Sequence, residues 1–114
     1  MKKSSKQMKL DKIKTELCKF DLLAPGTLRT TFMKCGNPKC ACHKDKNARH
    51  GPYHLWDRKV GTKLTSKMVL EEVHKKIESW IKERRKIETL MAAAIKISQE
   101  IIADYIEKTR ERKL

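Results

Sequence analysis

The chain has 114 residues and carries 28 Lys and Arg against 14 Asp and Glu, a net charge of +14. That is one domain's length, and two each of Phe, Trp and Tyr exclude a large aromatic core. No apolar run approaches about 18 residues, which excludes a membrane-spanning helix; no membrane partner is expected.

The positive charge is concentrated towards the front. Residues 1–20 carry net +5, residues 21–66 net +6 and residues 67–114 net +3. A field of that sign and density attracts phosphate polymers or anionic membranes, and a polyanion partner is the expectation. Residues 1–9 are charged with no apolar segment behind them and do not read as a secretory signal. A cytoplasmic chain with reduced thiols is therefore expected.

Residues 1–25 are read as a basic helix and linker. Leu10, Ile13 and Leu17 recur at helical spacing with Phe20 one step on, predicting a short amphipathic helix over 7–20. Ala24-Pro25-Gly26 then breaks the chain.

Residues 26–65 are read as a small β-module. Residues 27–34 are rich in β-formers, with Leu28, Thr30 and Phe32 alternating against Arg29, Thr31 and Met33. Residues 36–51 read as loop. Residues 53–60 form a second strand, Gly61-Thr62 turns it, and residues 63–65 return as a short third strand.

Residues 66–114 contain no Gly and no Pro. Ser66 is the expected N-cap, and Glu71 and Glu72 suit the positive end of a helix dipole. Apolar residues from Leu70 to Ile106 recur at alternating spacings of three and four, which predicts one long helix. Its stripe over residues 87–106 lacks an intramolecular partner unless residues 7–20 fold over it. A coiled-coil homodimer or a partner helix is expected there, because so long an apolar stripe is rarely left in water.

The densest chemistry lies between the first two strands. Cys35, Cys40 and Cys42 fall within eight residues, and His43 and His50 follow. Thiolates crowded into a turn are metal ligands more often than packing residues, and a structural zinc takes four thiolate or imidazole donors in a tetrahedron. Gly36 and Pro38 shape the bend between Cys35 and Cys40. An extended segment would point Cys40 and Cys42 to the same side. His50 is the expected fourth ligand, since the Gly51-Pro52 turn can swing it back; His43, His54 and Cys18 are the alternatives.

The run Gly26-Thr-Leu-Arg29, Cys35-Gly-Asn-Pro-Lys-Cys40-Ala-Cys42, His50-Gly-Pro-Tyr53 and Gly61-Thr-Lys63 resembles an uncharacterised family of short microbial proteins, a domain of unknown function. The resemblance extends over about residues 26–110, with Thr62 as a small departure between Gly61 and Lys63. It implies that Cys35, Cys40, Cys42 and His50 act as one set, and it implies no established activity. Members of that family often sit beside mobile-element genes, which tilts the expectation from RNA towards DNA.

The expected fold is therefore α+β: a zinc-stabilised antiparallel β-module of about three short strands, a short N-terminal helix and a long C-terminal helix. The expected function is nucleic-acid binding through the phosphate backbone. Arg29, Lys34, Lys39, Lys44, Lys46, Arg49, Arg58, Lys59 and Lys63 surround the proposed metal, and Trp56 offers a ring for an unstacked base. The alternative is a coiled-coil adaptor that ignores nucleic acid. An enzyme is not expected: no paired carboxylates or activated nucleophile appear at useful spacing, and nothing in the sequence orients Asp45 or Asp57.

Overall fold

The computed structural model describes residues 4–113. Helix α1, Ser5–Leu17, opens on Ser4, whose hydroxyl accepts the Gln7 N–H at 3.1 Å. That cap starts the helix two residues earlier than the apolar spacing suggests, and it closes at Cys18 rather than at residue 20.

Three antiparallel strands follow, β1 (Thr27–Met33), β2 (His50–Val60) and β3 (Lys63–Val69), in the order β1-β2-β3. Leu28 pairs with Trp56 and Thr30 with His54, while Thr31 pairs with Tyr53 and Met33 with His50. The register slips between Thr31 and Met33, so Phe32 leaves the alternation and is exposed. Gly26, with φ +82°, enters β1 so close to β2 that a Cβ there would collide with the Asp57 carbonyl oxygen.

The third strand and the long helix divide differently from the sequence expectation. Strand β3 pairs residue by residue with β2, from Val60 opposite Lys63 to His54 opposite Val69. Ser66 lies inside that strand and bonds the Asp57 carboxylate, so it caps nothing. The sheet therefore extends beyond residue 65, and helix α2 runs from Glu71 to Lys113, 43 residues, with Glu71 and Glu72 in its first turn. Cross-strand pairing decided this, and a serine ahead of an apolar period carries no sign of it.

The chain forms two compact units. One is Leu23–Lys82; the other joins Met1–Leu22 with Glu83–Leu114. In the sheet unit, Ala24, Ile77 and Ile81 are buried, with Leu28, Trp56, Val69 and Trp80 packed around them. One sheet face thus rests on the start of α2. In the helical unit, Leu10, Ile13 and Leu17 of α1 are half-buried, as are Ile87, Leu90, Ala94, Ile97 and Ile101 of α2. An ion pair of 2.8 Å from Lys6 to Asp104 joins the two helices.

Candidate metal centre

Antiparallel pairing brings the four donors together. His50 opens β2 opposite Met33, which places it beside the chain that leads to Cys35. The segment between them folds back in two 3-10 turns, Ala41–His43 and Lys46–Ala48. Asn37 shapes the first bend: its side-chain oxygen accepts the Lys39 N–H at 3.0 Å, and its carbonyl accepts the Cys40 N–H at 3.1 Å.

The ligand atoms of Cys35, Cys40, Cys42 and His50 lie within 4.8 Å of one another. Cys40 Sγ stands 3.3 Å from His50 Nε2, and Cys42 Sγ stands 3.5 Å from Cys35 Sγ. Sulfurs bound tetrahedrally at about 2.3 Å would be roughly 3.8 Å apart, so the cluster has the dimensions of one shared ion. All four cysteines are free thiols, and Cys42 is buried. The four donors make a site that can hold a metal ion.

The surroundings suit negative sulfur. The Cys35 N–H points at Cys42 Sγ at 3.3 Å. The Cys42 N–H and the His50 ring, followed by the two neighbouring thiols, bring the Cys40 thiol down to about 6 from 9.0. At Cys42 the Cys35 N–H pulls the thiol down, but burial and the adjacent Cys40 and Cys35 outweigh it, so this thiol is raised. One sulfur is thus ready to carry charge and another resists it, an imbalance that a shared cation removes.

Cys40 is extended, but Cys42 sits in the Ala41–His43 turn, so the two sulfurs converge by folding back rather than by strand alternation. The alternative fourth ligands stand outside the cluster. His43 Nε2 lies 2.7 Å from the Cys35 carbonyl oxygen and must donate to it, tying the turn to the first ligand's backbone. His54 faces Thr30 and packs its ring 4.6 Å from that of His74. Cys18 is exposed at the end of α1.

Of the basic candidates, Lys34, Lys39, Lys44, Lys46, Lys59 and Lys63 are exposed, and none makes an ion pair among the described residues. Arg49 is half-buried, and its Nε lacks a hydrogen-bond partner. Arg29 is committed to Asp57, donating through Nε at 2.9 Å and Nη2 at 3.2 Å. With Ser66 also donating, Asp57 is held at about 2, far below its ordinary 3.8. Asp57 is therefore oriented after all, as is Asp45, which accepts the Asn47 N–H at 2.9 Å; both carboxylates are occupied by structural bonds.

Trp56 packs against the core, and its indole N–H donates to the Pro25 carbonyl at 2.8 Å. The Arg58 guanidinium lies 4.3 Å over its ring. One face of the indole already carries a cation. Lys67, directly across from Trp56 on β3, adds an exposed charge to that side of the sheet. Reading residues 66–69 as helix hid it, because only strand pairing sets Lys67 beside Trp56.

Nothing among curated proteins or solved structures matches the chain. A family model matches residues 5–79, which span α1, the metal-site turns, the sheet and the first turns of α2. The chain belongs to that family, DUF6788, a domain of unknown function.

Proposed function

We propose that the Leu23–Lys82 unit is a zinc-stabilised module that binds the phosphate backbone of nucleic acid, with DNA ahead of RNA. One observation carries this reading. Six exposed lysines have no acidic partner among the described residues, Lys34, Lys39, Lys44 and Lys46 in the segment that carries the cysteines and Lys59 and Lys63 at the far end of the β2–β3 hairpin, while Arg29 is already paired with Asp57. Lysines that have no internal salt bridge lose little when they bind phosphate, and they release the condensed counterions of the polymer.

Zinc suits the donor set. Three sulfurs and one imidazole suit a borderline-soft ion, their ligand atoms lie within 4.8 Å of one another, and four protein donors would fill a tetrahedral zinc. The ion's role is then structural. Its binding energy, on the order of 10 kcal/mol, acts as folding energy for the turns that carry Lys39, Lys44 and Lys46. Thiols in this state fit the reducing cytoplasm.

The test is binding to duplex DNA as salt is varied. About six phosphate contacts give a log–log slope near −5. Binding that is absent, or that ignores salt, overturns the reading. The adaptor alternative draws on a different feature, the exposed apolar stripe of α2.

A further inference from the structure

Helix α2 is apolar along two lines in the helical unit, and only one of them is covered. Ile87, Leu90, Ala94, Ile97 and Ile101 are half-buried. Roughly a quarter-turn round the helix, Met91, Ile95, Ile102 and Ile106 remain 49%, 57%, 56% and 56% exposed, and Tyr105 beside them 67%. Those four share one face over roughly 22 Å of helix.

Two features say what covers this stripe. The first is charge. Residues 87–114 hold five basic and five acidic residues, net zero, so residues 1–86 carry all of the +14. Over this length α2 itself offers a phosphate polymer no net attraction, the neighbouring positive charge lying on α1. An anionic membrane would favour Lys and Arg beside the stripe, whereas residues 91–108 hold Lys96 and Lys108 against Glu100, Asp104 and Glu107, net −1. A second copy meets no net repulsion over this length, although it is repelled by the rest of the chain.

The second feature is the order of the stripe. The steps from Met91 to Ile95, Ile102 and Ile106 are four, seven and four residues, a sequence that reads the same in both directions about the midpoint between Ser98 and Gln99. A two-fold interface requires that residue i meets j whenever j meets i. Antiparallel pairing about that midpoint sets Ile95 against the partner's Ile102 and Met91 against the partner's Ile106. Each of these four residues then faces another of the four, Tyr105 beside them lies opposite the partner's Ala92, and the polar pair Ser98-Gln99 falls on the two-fold axis.

We propose that two copies of this chain associate through the distal half of α2, antiparallel and centred between Ser98 and Gln99. The interface is independent of phosphate binding and stands whether or not the sheet unit binds nucleic acid.

Sedimentation equilibrium of the full zinc-loaded chain tests this. The expected species has twice the 13.3 kDa chain mass at micromolar concentration. Met91→Glu and Ile106→Lys each raise the dimer dissociation constant by at least ~30-fold, because each sets a charge against an apolar side chain. Both changes in one chain restore the dimer, since antiparallel pairing sets each new Glu against the partner's new Lys. Parallel pairing would instead set like charges together. Circular dichroism tracks the helix in every variant. Ile102→Gln, which retains a good helix former, carries the test if a charged variant loses helix. A chain of 13.3 kDa at every concentration overturns the proposal. So does a dimer indifferent to the single changes, or one that the double change fails to rescue.

Discussion

His50 Nε2 stands 3.3 Å from Cys40 Sγ although ten residues separate them, and strand pairing is what closes that gap. Met33 and His50 are the last pair of the β1–β2 ladder, so the sheet fixes where the fourth donor sits and where the chain leaves for Cys35. Metal site and sheet are coupled through that pair. Replacing His50 with Ala should reduce bound metal well below one ion per chain and lower the melting temperature together. His43→Ala should retain the stoichiometry while weakening affinity about 10-fold or more, since His43 only ties the turn to the Cys35 carbonyl. Competition against a colorimetric chelator separates the two. Equal losses would mean that His43 is a ligand.

Gly26 is the tightest backbone approach near the core. Its φ of +82° and the adjacent Asp57 carbonyl leave no room for a methyl group. Gly26→Ala should cost on the order of 1–3 kcal/mol, read as a lower urea midpoint at an unchanged slope. An unaltered midpoint would show that β1 can shift away from β2 at little cost.

Asp57 offers a pH test. Its carboxyl is held at about 2, first by Arg29 and then by Ser66, against an ordinary 3.8. A depressed carboxylate contributes stability in full above its unfolded value, and loses it only as pH falls from there through the folded value. The melting temperature of Asp57→Asn should therefore lie below that of the native chain by a constant margin between about pH 8 and about pH 5.5. A margin that narrows across that range would show that the Arg29–Asp57–Ser66 cluster does not hold the proton off.

The outline of the fold was legible because it rests on local pattern. Three-and-four spacing gave both helices, and β-rich segments around Gly61-Thr62 gave the hairpin. The boundary at Ser66 was not legible, because a serine before an apolar period marks a helix start only when its hydroxyl is free to cap. Here Asp57, nine residues back, takes that hydroxyl across the sheet. The three cysteines were legible as a cluster from donor type and spacing, whereas His50 was one of four candidates, preferred for the Gly51-Pro52 turn, and it is the one that strand pairing brings to the sulfurs. The role of His43 and the commitment of Arg29 to Asp57 depend on contacts that close only in three dimensions. Lys67 was lost for the same reason as Ser66, since both lie on the part of β3 that the helix reading absorbed.

The lysines of the metal-site turns should act together. Lys39, Lys44 and Lys46 are exposed and carry no ion pair among the described residues. Replacing all three with Gln should flatten the salt dependence of DNA binding by up to about 2.7 units of log–log slope, with no change in metal content or melting temperature. Binding that weakens at an unchanged slope would mean that these side chains do not touch phosphate.

The measurement closest to the central claim is amide exchange across β1, β2 and β3 on purified protein, with metal content determined in parallel, before and after a strong chelator. The account predicts one zinc per chain. It also predicts that removing the metal exposes the amides of residues 27–69 while those of residues 87–106 stay protected. Metal-free protein with the same strand protection as the untreated sample would contradict it.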